Sequence, residues 1–132
     1  MSQDSYLFDT HALLFWYEDY EVSKEFITFF NKQNLLGRLY TSSVCFWEVA
    51  LLVQKGRIRI SSDMHEWASV LFDAGVRLLT PTVTEIINSV ALPRHHKDPF
   101  DRLLIAQAIA QNMVLVTRDE IIQEYPVMQL WM

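Results

Sequence analysis

Short unbroken apolar runs alternate along this chain with longer stretches in which apolar positions return every three or four residues. The runs Tyr6-Leu7-Phe8, Leu39-Tyr40-Thr41, Val76-Arg77-Leu78-Leu79 and Val114-Leu115-Val116-Thr117, with a last segment near 128–131, predict buried strands. The longer stretches predict helices. One begins directly after Asp9-Thr10 and covers 11–16. A second runs from a Ser23 cap to about Asn34, and a third over 44–55 from a cap at Ser42 or Ser43 to Gly56. Asp63 caps a fourth to Ala74, Thr84 a fifth to about Leu92, and Asp98 with Pro99 starts a sixth to about Gln111; a short one covers 120–125. Strands alternating with helices imply an α/β fold with a mostly parallel sheet covered on both faces. In open sheets of this kind ligands bind outside the carboxyl ends of the strands, where Asp9 and Asp119 fall.

Composition sets the bounds. The chain has 132 residues, 51% hydrophobic and 20% charged, with three Gly and four Pro and no repeats, which fits a single domain over residues 1–132. A net charge of −5 argues against a protein that coats nucleic acid. Carboxylates gathered around divalent cations would reverse the sign locally, so a phosphodiester substrate stays open. The single Cys45 excludes an intrachain disulfide, fits a reducing compartment, and in its apolar surroundings reads as a small buried hydrophobe. The chain opens Met-Ser-Gln-Asp-Ser without positive charge, and no apolar run approaches the roughly 18 residues that span a bilayer, so we expect a cytoplasmic protein without membrane contact.

Four acids carry the candidate chemistry. Asp9 and Asp119 follow apolar runs, Asp101 opens the sixth helix, and Glu48 is the only charge between Thr41 and Gln54. Each has a structural role open to it: a helix cap for Asp9, an Asx turn for Asp119, a favourable place near a helix N-terminus for Asp101, an arginine partner for Glu48. Together they can converge on one cleft. Carboxylates without cysteine, and without histidines at ligand spacing to one another, suit hard ions such as Mg²⁺ or Mn²⁺.

The segments Leu7-Phe8-Asp9-Thr10-His11-Ala12-Leu13-Leu14, Ser42-Ser43-Val44-Cys45-Phe46-Trp47-Glu48-Val49, Asp98-Pro99-Phe100-Asp101-Arg102-Leu103-Leu104-Ile105-Ala106 and Leu115-Val116-Thr117-Arg118-Asp119 resemble, in order, the successive motifs of PIN-domain nucleases. Among these the chain is most similar to the VapC-like toxins of bacterial toxin–antitoxin pairs. The resemblance implies a three-layer α/β/α fold, cleavage of RNA dependent on one or two Mg²⁺ or Mn²⁺ ions, a cognate antitoxin and a homodimer. It implies that Asp9, Asp101 and Asp119 hold metal, that Glu48 completes the site or orients water, and that Asp98 is an additional acid with capping as its first role.

Thr10 can bond a bound water or phosphate or start its helix. Arg102 and Arg118 flank two of the acids and can meet phosphate or stay solvated. Lys55 and Arg57, with Arg59, form a small basic cluster suited to an RNA backbone. His95 and His96 read as surface residues. The aromatic residues Trp16, Tyr17, Phe26, Phe29 and Phe30 serve either as core or as an exposed interface, and the second case supports an alternative function as a non-catalytic protein-binding module.

Overall fold

In the computed structural model, which describes residues 4–60 and 63–132, five parallel strands form one sheet in the order β3-β2-β1-β4-β5. The first three residues, part of the opening segment in which no targeting signal is expected, lie outside the described set. The strands are β1 (Tyr6–Phe8), β2 (Leu39–Ser42), β3 (Arg77–Leu79), β4 (Val114–Val116) and β5 (Gln129–Leu130). Around them run α1 (Thr10–Glu18), α2 (Lys24–Leu35), α3 (Ser43–Gln54), α4 (Met64–Asp73), α5 (Val83–Ala91) and α6 (Pro99–Gln111), with one 3₁₀ turn over 120–124 where the pattern predicts a short helix.

The central strands are short and wholly apolar because both of their faces are covered. Successive side chains of a strand point to opposite faces, yet Tyr6, Leu7 and Phe8 are all buried, as are Val114, Leu115 and Val116. Phe8 packs its ring 4.9 Å from that of Phe30, and Phe26 lies 4.7 Å from Phe30. Phe26 and Phe30 are fully buried, and Trp16, Tyr17 and Phe29 pack against the same cluster. Of the two readings of these aromatic residues, the packing supports the core: Phe26 and Phe30 are inside it and the other three lie against it.

Register then decides where the polar residues go. Phe8 pairs with Thr41 on one side and Val116 on the other, so β1, β2 and β4 end level. The chain runs outward from β1 through β2 to β3 and then returns to β4 on the opposite flank of β1. That reversal opens a crevice between the strand ends of β1 and β4, the place where such sheets bind ligands.

Helix starts follow local chemistry. Asp9, Asp63 and Asp98 cap α1, α4 and α6, and Ser23 caps α2. The cap of α5 is Thr82 rather than Thr84: its hydroxyl accepts from the Glu85 N–H while the Glu85 carboxylate accepts from the Thr82 N–H. This reciprocal pair satisfies two helix-end donors, which Thr84 could not do with Glu85 next to it.

Candidate active site

Asp9 continues β1 by one residue, its N–H donating to the Val116 carbonyl at 3.1 Å. Its Oδ1 accepts from the Ala12 N–H at 2.7 Å, so the residue caps α1 from the strand end and is itself buried. The opposite wall is α6, whose Asp98 cap and Pro99 start place Asp101 in its first turn. From β4 the chain reaches Asp119, whose Oδ1 accepts from the Ile121 N–H at 3.0 Å to start the 3₁₀ turn. Glu48 comes from the middle of α3 and accepts a hydrogen bond from the hydroxyl of the buried Thr10. Asp9, Asp101 and Asp119 line one cleft of about 470 Å³ with His11, Arg118 and Glu120.

The electrostatics confirm that the acids crowd one another. Burial pushes the Asp101 carboxyl up from 3.8 to about 8, helped by the negative charges of Asp98, Asp9, Glu48 and Asp119. Burial also raises Asp9; the Thr117 hydroxyl, the Ala12 N–H and His11 work the other way, and Glu48 adds to the rise. Carboxylate oxygens dominate the donors of this cleft, which is the chemistry that fits a hard divalent cation.

A pH dependence follows. Between 3.8 and about 8 the folded chain keeps a proton on Asp101 that the unfolded chain has released, so the native state binds more protons and stability falls as pH rises through this window. In chelator, we expect the melting temperature to drop from pH 5 to pH 8 and flatten above it, with a shallower slope in Asp101→Asn. Millimolar Mg²⁺ should recover the loss at pH 8. Equal slopes in the two proteins would show that Asp101 does not carry this charge.

One member of the site escapes the sequence patterns. His96, expected at the surface, is buried, with Nε2 at 2.7 Å from Asp119 Oδ2 and 3.1 Å from Asp101 Oδ2. These three side chains form a group close enough to hold a cation. The ring is fixed on its other side too: Nδ1 accepts from the Asp98 N–H at 3.1 Å, so the ring proton sits on Nε2 and points at the acids. Its backbone N–H donates to the Tyr125 hydroxyl at 2.8 Å, and that hydroxyl donates to the Pro93 carbonyl.

The basic candidates fare differently. Arg102 does not face the cleft as a phosphate binder: its two terminal nitrogens donate to the carbonyls of Val90, Leu92, Pro93 and His96 at 2.8–3.1 Å, which pins the loop carrying His96. Arg118 does line the cleft, paired with Glu21 at 3.3 Å and lying 4.6 Å over the Phe15 ring. Lys55 and Arg57 are exposed after α3 and do not line the cleft. Asp98 caps α6 through the Phe100 N–H at 2.9 Å and adds charge beside Asp101. Cys45 is buried with its thiol pushed up to about 11, the inert state expected of it.

Comparison with known proteins agrees with this fold. A stretch of 82 residues is 33% identical to Ribonuclease VapC22 of Mycobacterium tuberculosis, covering 61% of this chain and 62% of that protein. The chain thus spans under two thirds of that relative's length. Among solved structures it resembles VapBC2 from Rickettsia felis bound to a promoter DNA fragment, with TM-score 0.68, 16% identity, and 95% and 96% of the two chains covered. It is similarly close to DNA-bound VapBC from Salmonella typhimurium, with TM-score 0.67, 16% identity and 96% of each chain covered. At that identity the likeness speaks for the fold. The PIN domain model matches residues 6–127, a span that runs from β1 past β4 and Asp119, and the chain therefore belongs to the PIN domain family.

Proposed function

We propose that this chain is an endoribonuclease dependent on Mg²⁺ or Mn²⁺, working in the cytoplasm as the toxin of a toxin–antitoxin pair. The observation that carries the reading is the convergence of Asp9, Glu48, Asp98 and Asp119 on Asp101, whose carboxyl is lifted to about 8 by its burial and further by their charges. Such a cluster is costly in the absence of a cation and becomes favourable with one.

Asp9, Asp101 and Asp119 would hold one or two ions, with Glu48 beside them. A divalent ion there supplies Lewis-acid activation of a water and neutralises charge on the scissile phosphate. The protein's own part is orientation. Asp9 is fixed by the Ala12 N–H, Asp119 by the Ile121 N–H and His96, and Glu48 by Thr10, so the carboxylates are placed before substrate arrives.

Two surfaces support the partners. An apolar groove of about 700 Å³ lined by Leu14, Phe15, Tyr20, Ile58 and Ile60 includes His11, which also lines the acidic cleft. An antitoxin segment lying there would reach the site and block it. On α5, Val83, Ile86 and Ile87 are exposed at helical spacing, and we assign that stripe to the homodimer.

Purified protein free of antitoxin should give discrete products from total cellular RNA with Mg²⁺ or Mn²⁺ and none with EDTA. Intact RNA after incubation with folded protein and millimolar metal would count against the proposal.

A further inference from the structure

The loop that carries His96 has a second face. Behind the acids that it touches, His96 lines a cavity of about 430 Å³ with Ser89, Val90, Arg94, Lys97, Pro99 and Arg102. Three of the chain's eleven lysines and arginines meet there, in a protein whose net charge is −5. Among the described residues Arg94 and Lys97 form no ion pair, whereas Arg118, the cation on the acid cleft, is balanced by Glu21. The cavity is also preorganised, because its Arg102 wall is tied to four loop carbonyls and Ser89 is buried with its hydroxyl donating to the Ile86 carbonyl.

Acid cluster and basic cavity thus share His96 as a common wall. An RNA strand approaching the acids meets repulsion that a bound ion relieves at one phosphate only. Its neighbouring phosphates need cations of their own. A ligand with one anionic group could fill either site; a strand with a phosphate at every nucleotide fills both at once.

We propose that this cavity receives a phosphodiester next to the scissile one, with Arg94 and Lys97 as its cationic contacts. The assignment rests on the nuclease reading. Both side chains are exposed, so replacing them leaves the core untouched.

The test compares the full chain with Arg94→Ala/Lys97→Ala. The probe is a fluorescein-labelled single-stranded RNA of mixed sequence and about 12 nucleotides, followed by anisotropy in Ca²⁺ to slow turnover. With one phosphate of the single strand no longer neutralised by the cavity, the slope of log affinity against log salt should fall by about 0.7, and binding should weaken several-fold at low salt. A charge-matched control, Lys24→Ala/Lys32→Ala on α2, should leave the slope unchanged. Equal slopes for wild type and the cavity variant, or an equal loss in the control, would overturn the cavity while metal-dependent cleavage by the wild type stands. A wild type that binds no RNA would overturn both the cavity and the nuclease reading.

Discussion

Asp9→Asn and Asp101→Asn should each slow RNA cleavage by about a thousandfold or more, which is about 4 kcal/mol of transition-state stabilisation, while leaving the fold intact. The substitution is chosen to separate chemistry from structure. Asparagine caps helices as well as aspartate does, so the hydrogen bond from the Ala12 N–H to position 9 survives the change. At position 101 the amide oxygen still accepts from His96 Nε2. What disappears is the charge that a cation needs. The same loss removes a repelled carboxyl from among four other acids, so metal-free Asp101→Asn should melt several degrees above wild type near pH 8. Activity and stability moving in opposite directions is the signature of a functional site. Unchanged cleavage rates in both variants, each shown to be folded by circular dichroism, would return these acids to the role of caps and sink the nuclease assignment.

The sequence showed most of this arrangement because local rules coincide with the global fold. Short apolar runs alternating with helical stretches read as strands of a parallel sheet covered on both faces, and the acids that follow Phe8 and Arg118 fall beyond the strand ends. Asp98-Pro99 marks the start of α6 to the residue. Where the patterns mislead, distance in the chain or in angle is the reason. Arg102 follows Asp101 directly, but neighbours on a helix point about 100° apart, so the arginine turns away to the carbonyls of 90–96. Thr84 stands nearest the apolar pair Ile86-Ile87 and so suggests itself as the cap, but the Thr-x-x-Glu spacing to Glu85 selects Thr82. Glu48 lies 38 residues from the Thr10 that holds it, a pairing no local pattern signals. His96 sits in a polar stretch beside His95 and looks solvated until the fold brings Tyr125, 29 residues on, to its N–H.

His96 leads to the second large effect. If its Nε2–H orients Asp119 and Asp101, then His96→Leu should weaken Mn²⁺ binding, measured by calorimetry, about 10- to 100-fold, the usual consequence of removing a partner that orients metal ligands. His96→Gln should retain most of the affinity, because a glutamine amide can present a donor where the imidazole Nε2 stood. This pair distinguishes orientation from direct ligation. A histidine that ligated through Nε2 would need its proton on Nδ1, where the Asp98 N–H already donates, and moving that proton would set two donors against each other at 3.1 Å. ¹⁵N spectra of the imidazole should accordingly show the Nε2–H tautomer both in chelator and with diamagnetic Mg²⁺ bound. A shift of the proton to Nδ1 on metal loading, with His96→Gln as weak as His96→Leu, would make His96 a ligand instead. Mn²⁺ affinity equal to wild type in His96→Leu would mean that the histidine fills space beside Tyr125 and Arg102, and that the caps at Ala12, Phe100 and Ile121 suffice to hold the acids in place.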